Sequence, residues 1–134
     1  MVNYLAIIVA AIVAYAIGAF WYSPAGFGTK WTKLMNFKKK DIKKAKEKGM
    51  TKAYIGTGIN QLITAGVLAY FIQSLNMVTL QQGAIVGLWA FIGFYATTLM
   101  GGVFWENKPW GLYYLNAGHA LVSLVVMGAI IGAW

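Results

Sequence analysis

Seven polar side chains interrupt long apolar stretches of this sequence. Thr57, Asn60, Gln61 and Thr64 recur at offsets of three, four and seven, the spacing of one helix face. Asn116, His119 and Ser123 repeat the pattern with offsets of three and seven. Amides and hydroxyls of this kind donate and accept hydrogen bonds without carrying charge. In a membrane such faces are expected to point into a helix bundle and not at lipid, in or near the inner half. There they either bond to a neighbouring helix and fix packing, or offer a polar site to a small solute. His119 is the only histidine, and its ordinary titration range lies near neutrality. It suits gating, solute binding or a proton relay, or else a packed, hydrogen-bonded role. His119 and Ser123 lie one turn apart, but the apolar stretches hold no Asp or Glu to orient the ring, so no enzyme is expected. A lone histidine in a chain without cysteine offers too few ligands for a metal, and no cofactor is expected.

The elements that position these residues follow from charge and length. The chain has 134 residues, of which 60% are hydrophobic and 10% charged, whereas an ordinary soluble domain is about 25% charged. Residues 3–22, 54–75, 79–105 and 110–134 are uncharged, and each run holds 20 or more residues. Twenty helical residues cover about 30 Å, the thickness of the hydrocarbon layer. Backbone groups there must pair within the segment, so the runs predict four transmembrane helices in one all-α, four-span bundle. The first run includes Ala14-Tyr15-Ala16, which fits a leader cleavage pattern. No Lys or Arg precedes it and the apolar run continues past it, so a span is predicted instead.

Ten of the eleven lysines fall between Lys30 and Lys52, together with Asp41 and Glu47, and this segment accounts for the whole net charge of +8. Lysine-rich short connections stay cytoplasmic. Segment 23–53 is therefore expected inside and both termini outside, in the cell membrane. Outside that segment only Glu106 and Lys108 are charged, and they are read as a pair or as solvated. Between Thr29 and Lys48, Trp31, Leu34, Met35, Ile42 and Ala45 recur at helical spacing with lysines on the other face. That predicts an amphipathic helix on the inner leaflet, broken near Asn36-Phe37 and ended by Gly49. Lys38, Lys39, Lys40, Lys43 and Lys44 would face anionic lipid or simply act as a topology determinant. Nucleic acid is not an expected partner, because no aromatic platform or known binding pattern accompanies the lysines.

Turn chemistry supports these boundaries. Ser23-Pro24 ends the first helix, and Gly26 and Gly28 permit a tight re-entry. Asn107 and Pro109 are expected to start the fourth helix, with Asn107 as N-cap. Gly18-Ala-Phe-Trp21 and Gly102-Val-Phe-Trp105 close the first and third spans, and Asn60 and Asn116 hold matching places in the second and fourth. This suggests two repeated helical hairpins. Gly83/Gly87 and Gly128/Gly132 are Gly-x-x-x-Gly pairs, which favour close helix contacts within or between chains.

The stretch from Gly18 to Trp31 resembles the signature of a family of small bacterial and archaeal membrane proteins, domain of unknown function 1761. The matching residues are Trp21, Tyr22, Ser23, Pro24, Phe27, Gly28 and Trp31. Ala25-Gly26 departs from the bulkier apolar residues of that pattern. The resemblance spans nearly the whole chain and implies a multi-pass membrane protein, with no activity and no catalytic residues attached. Two functions are compatible with the residues: a homo-oligomeric channel or transporter for a small solute, and a non-transporting scaffold that binds lipid or a partner through its lysines.

Overall fold

The structure is a computed structural model that describes residues 3–134. All its regular elements are helices. Helix α1 (Tyr4–Trp21) begins at Asn3, whose side-chain oxygen accepts from the Leu5 and Ala6 amides at 3.0 and 3.2 Å. After the Ser23-Pro24 turn come α2 (Gly28–Leu34) and α3 (Lys39–Lys48), separated at Asn36, which takes a left-handed conformation (φ 63°). The expected break in the amphipathic segment is therefore real. Gly49 (φ 81°) ends α3 where a side chain would be strained.

Helix α4 (Thr51–Ser74) follows, then α5 (Leu80–Ala90), a π-helical turn (Phe91–Ala96), α6 (Thr97–Glu106) and α7 (Trp110–Ala133). The α5–π–α6 run is continuous, so α1, α4, Leu80–Glu106 and α7 are four helices long and apolar enough to cross a membrane. The protein is a multi-pass membrane protein. One boundary differs from expectation. Asn107 is the C-cap of α6, in the left-handed conformation (φ 54°), and Pro109 holds the N-cap position of α7. A Gly-poor loop this short needs one residue that tolerates positive φ, and Asn serves that need better than it serves as a side-chain cap.

Helix α7 is the hub. Buried residues run along it from Leu112 to Gly132, and it packs against α1, α4, α5 and α6. The shared core joins Ala10 and Ala14 of α1, Ala65 and Leu68 of α4, Val86 of α5, and Leu124 and Met127 of α7. Lipid tails are as apolar as these side chains, so close van der Waals fit, rather than escape from water, holds such helices together. Large apolar residues accordingly face outward, among them Ile12, Ile63, Tyr70 and Trp89.

The closest fit is between α5 and α7. A Cβ added to Gly83 would collide with the Gly128 carbonyl, and one added to Gly128 would collide with the Gly83 carbonyl. A Cβ on Gly132 would lie 2.9 Å from the Gly83 Cα. The two Gly-x-x-x-Gly pairs thus meet each other within one chain.

The π turn widens the third span just past this crossing. Its carbonyls are met by side chains: Thr97 and Thr98 hydroxyls donate to Gly93 and Phe94 at 2.9 and 2.7 Å, and Tyr113 donates to Ala96 at 3.0 Å. In hydrocarbon such carbonyls have no water to turn to.

Candidate functional site

The turn after α1 is built from backbone. The Phe27 amide donates to the Trp21 carbonyl at 2.7 Å, and the Gly26 and Gly28 amides donate to the Ser23 carbonyl at 3.0 and 2.9 Å. A side chain at Gly26 would collide with the Phe20 carbonyl, and one at Gly28 with the Tyr22 carbonyl. The small residue at position 26 is what lets the chain double back so tightly.

That fold-back presents Trp21 and Tyr22 to α7. The Trp21 indole donates from Nε1 to the Leu115 carbonyl at 3.0 Å, and the Tyr22 hydroxyl donates to Asn116 Oδ1 at 2.7 Å. His119 sits behind them, with its ring centroid 5.1 Å from Tyr22, edge-on, and 6.1 Å from Trp21. Gly18 leaves room for it, since a Cβ there would stand 3.1 Å from His119 Nε2. Gly118 does the same for Trp21, whose Cζ2 would lie 3.1 Å from an added Cβ. The Phe27 ring lies tilted 4.7 Å from Trp21, Trp31 lies edge-on 5.7 Å from Tyr22, and Phe37 lies edge-on 5.4 Å from Trp31. The aromatic residues of the signature therefore form one cluster. It packs over Asn116 and His119, two of the three polar residues of the α7 face.

Residues 5–132 match the family described as "Protein of unknown function (DUF1761)". The chain belongs to the DUF1761 family. No curated protein and no solved structure matches it. In this DUF1761 chain the signature is thus no loose connection but the structure that ties the end of α1 to α7.

The polar residues of the two faces are not brought together. On α7, Ser123 is buried, and its Oγ and His119 Nε2 find no hydrogen-bond partner among the described residues. Asn116 is turned towards Tyr22. On α4, Thr57 and Asn60 are exposed and Gln61 and Thr64 half-buried. The expectation that the α4 face points into the bundle is corrected here. The physical reason is that α4 packs mainly through its second half: its buried residues are Ala65, Leu68, Ala69 and Ile72. Its first half is held by lighter contacts, such as the Tyr15 hydroxyl donating to the Tyr54 carbonyl at 3.3 Å and Gly58 facing Tyr15. An open apolar groove of about 620 Å³ lies between α1 and α4 there, lined by Ile8, Ile12, Ile55 and Ile59 among others. Thr57 bonds only locally, its hydroxyl donating to the Ala53 carbonyl at 2.8 Å.

The matching ends of the two hairpins also differ. Trp21 is packed and bonded to α7, whereas Trp105 is 88% exposed. Asn116 is bonded to Tyr22, whereas Asn60 is on the surface. The short sequence matches do not correspond to matched surroundings.

The third polar feature contains the pairing read for Glu106 and Lys108 in the sequence, while the cavity beside it has no sequence signal. Glu106 and Lys108 form an ion pair at 3.0 Å beside a cavity of about 170 Å³, and Asn116 forms part of the cavity wall. Their two-residue separation across Asn107 was the only available signal. The left-handed turn that brings them together is not visible as a helical or strand period.

Proposed function

We propose that the protein is a homo-oligomeric channel or transporter for a small polar solute, with the path running between protomers. Thr57, Asn60, Gln61 and Thr64 of α4 line its cytoplasmic half. The observation that carries this reading is the exposure of Thr57 and Asn60 on a membrane-length apolar helix. Hydrocarbon offers an amide no partner, so such a face favours water or a second protein surface. The centre of each protomer favours the same placement, since Ala10, Ala14, Ala65, Leu124 and Met127 fill it and none is more than 3% exposed. The orientation rests on the lysines: segment 23–53 lies in the cytoplasm and both termini lie outside the cell membrane.

The absence of cysteine makes the test clean. Asn60→Cys in native membranes should form disulfide-linked dimers under mild oxidation, while Ile85→Cys should not. In proteoliposomes, Asn60→Leu should cut the uptake of the transported solute at least tenfold. No flux of any small solute together with no cross-link at position 60 would refute this function.

A second reading is supported by α3. Lys38, Lys39, Lys40, Lys43 and Lys44 are all exposed, while Asp41, Ile42, Ala45 and Lys46 of the same helix wall a cavity of about 590 Å³ together with Trp31, Phe37 and Tyr54. A helix with an exposed lysine face and a second face turned to aromatic residues suits a lipid- or partner-binding scaffold, with roughly 1 kcal/mol per lysine near an anionic surface. Binding of anionic vesicles that ignores both salt and the loss of these lysines would dismiss it.

A further inference from the structure

Glu106 and Lys108 are the only charged residues outside the lysine-rich segment, and they cancel. Their geometry is fixed by backbone. Asn107 turns left-handed, and the Lys108 amide donates to the Gly102 carbonyl at 3.1 Å, closing the end of α6. This sets the two side chains next to each other over Gly102. A Cβ at Gly102 would lie 3.4 Å from Lys108 Cδ and 3.6 Å from Glu106 Oε2, so the absence of a side chain there keeps the space beneath the pair open. Both side chains are about half exposed, Glu106 at 61% and Lys108 at 49%. Solvent screens an ion pair that exposed, so it opens at little cost.

Below the pair lies the cavity of about 170 Å³, walled by Thr98, Gly102, Tyr113 and Asn116 as well as by the pair itself. Asn116 is the deciding wall. Its Oδ1 accepts from the Tyr22 hydroxyl at 2.7 Å, so the NH₂ of this lining residue is the group left to donate. The cavity therefore holds one ammonium, one amide donor and one carboxylate. An anionic group fits between Lys108 and Asn116, and a cationic group on the same molecule fits against Glu106.

We propose that this cavity is a binding site for a small zwitterion, a molecule carrying an ammonium and an anionic group within a few ångströms of each other. A free amino-acid-like solute and the headgroup of an ethanolamine phospholipid share that chemistry. The site does not depend on the transport reading, since it is a matter of binding alone.

The test uses the full chain in nanodiscs of phosphatidylglycerol, with ¹³C-glycine and phosphoethanolamine as soluble probes and saturation-transfer NMR as the readout. A third arm replaces part of the phosphatidylglycerol with phosphatidylethanolamine and measures lipid retained through purification. Saturable binding of either soluble probe, weakened at least tenfold in Glu106→Gln, Lys108→Met and Asn116→Leu, supports a free zwitterion. Selective retention of the ethanolamine lipid, lost in the same variants, supports the headgroup. The pair is exposed, so Glu106→Gln and Lys108→Met should keep the wild-type melting temperature within a few degrees, which separates lost binding from lost fold. The proposal is overturned if no probe binds and no lipid is retained selectively, if the three variants bind like wild type, or if acetate and methylammonium bind as well as glycine.

Discussion

The two ends of α7 are held by opposite means. Towards Gly128 and Gly132 the partner is α5, and contact is backbone on backbone with no side chain between. Towards Asn116 and His119 the partner is α1 with its following turn, and contact is made by large aromatic rings and directed hydrogen bonds. The first arrangement has no tolerance for added atoms. The second spreads its energy over many contacts, each replaceable in part. The same helix therefore pairs a rigid crossing with an adaptable polar cluster.

The comparison is broken most severely at the glycines. Gly128→Leu forces side-chain atoms into the Gly83 carbonyl, and the expected loss is about 3 kcal/mol or more. Reversible unfolding in mixed micelles measures it. A loss below about 1 kcal/mol would show that α5 and α7 separate easily. Trp21→Ala removes a half-buried ring and the bond to Leu115, with an expected loss of about 2–3 kcal/mol. Tyr22→Phe removes only one hydrogen bond, so about 1 kcal/mol is expected, because Asn116 keeps access to the neighbouring cavity. Asn60→Leu lies on neither contact and should change the stability of the protomer by no more than about 0.5 kcal/mol. A large effect there would mean that α4 is packed against something beyond the chain.

Much of the fold was legible because charge is so scarce. Uncharged runs of membrane length mark spans almost residue for residue: 110–134 was expected and α7 covers Trp110–Ala133. The break at Asn36 and the cap at Gly49 were legible from turn chemistry. The partners of each face were not. Helical spacing shows that Thr57, Asn60, Gln61 and Thr64 share a face, but it carries no information on which way that face turns. That depends on where α4 finds small residues to pack, and Ala65 and Ala69 lie in its second half. The glycine pairs were visible individually, yet nothing in their spacing states that one pair seats on the other. The π turn at 91–96 was also hidden, because a single wide turn leaves no repeat to detect.

The position of the hub in the chain has a consequence for biosynthesis. Ribosomes deliver α1, α4 and the α5–α6 span before α7, so three helices enter the bilayer while the element that buries their small-residue faces is still unmade. Insertion and assembly are then separate stages. Until α7 arrives, α1 and α4 can pair with each other, but Gly83 and Gly87 face lipid or a neighbouring chain. A chain stopped before Trp110 would stay in the membrane with an adhesive α5 surface, open to mispairing and to proteolytic quality control.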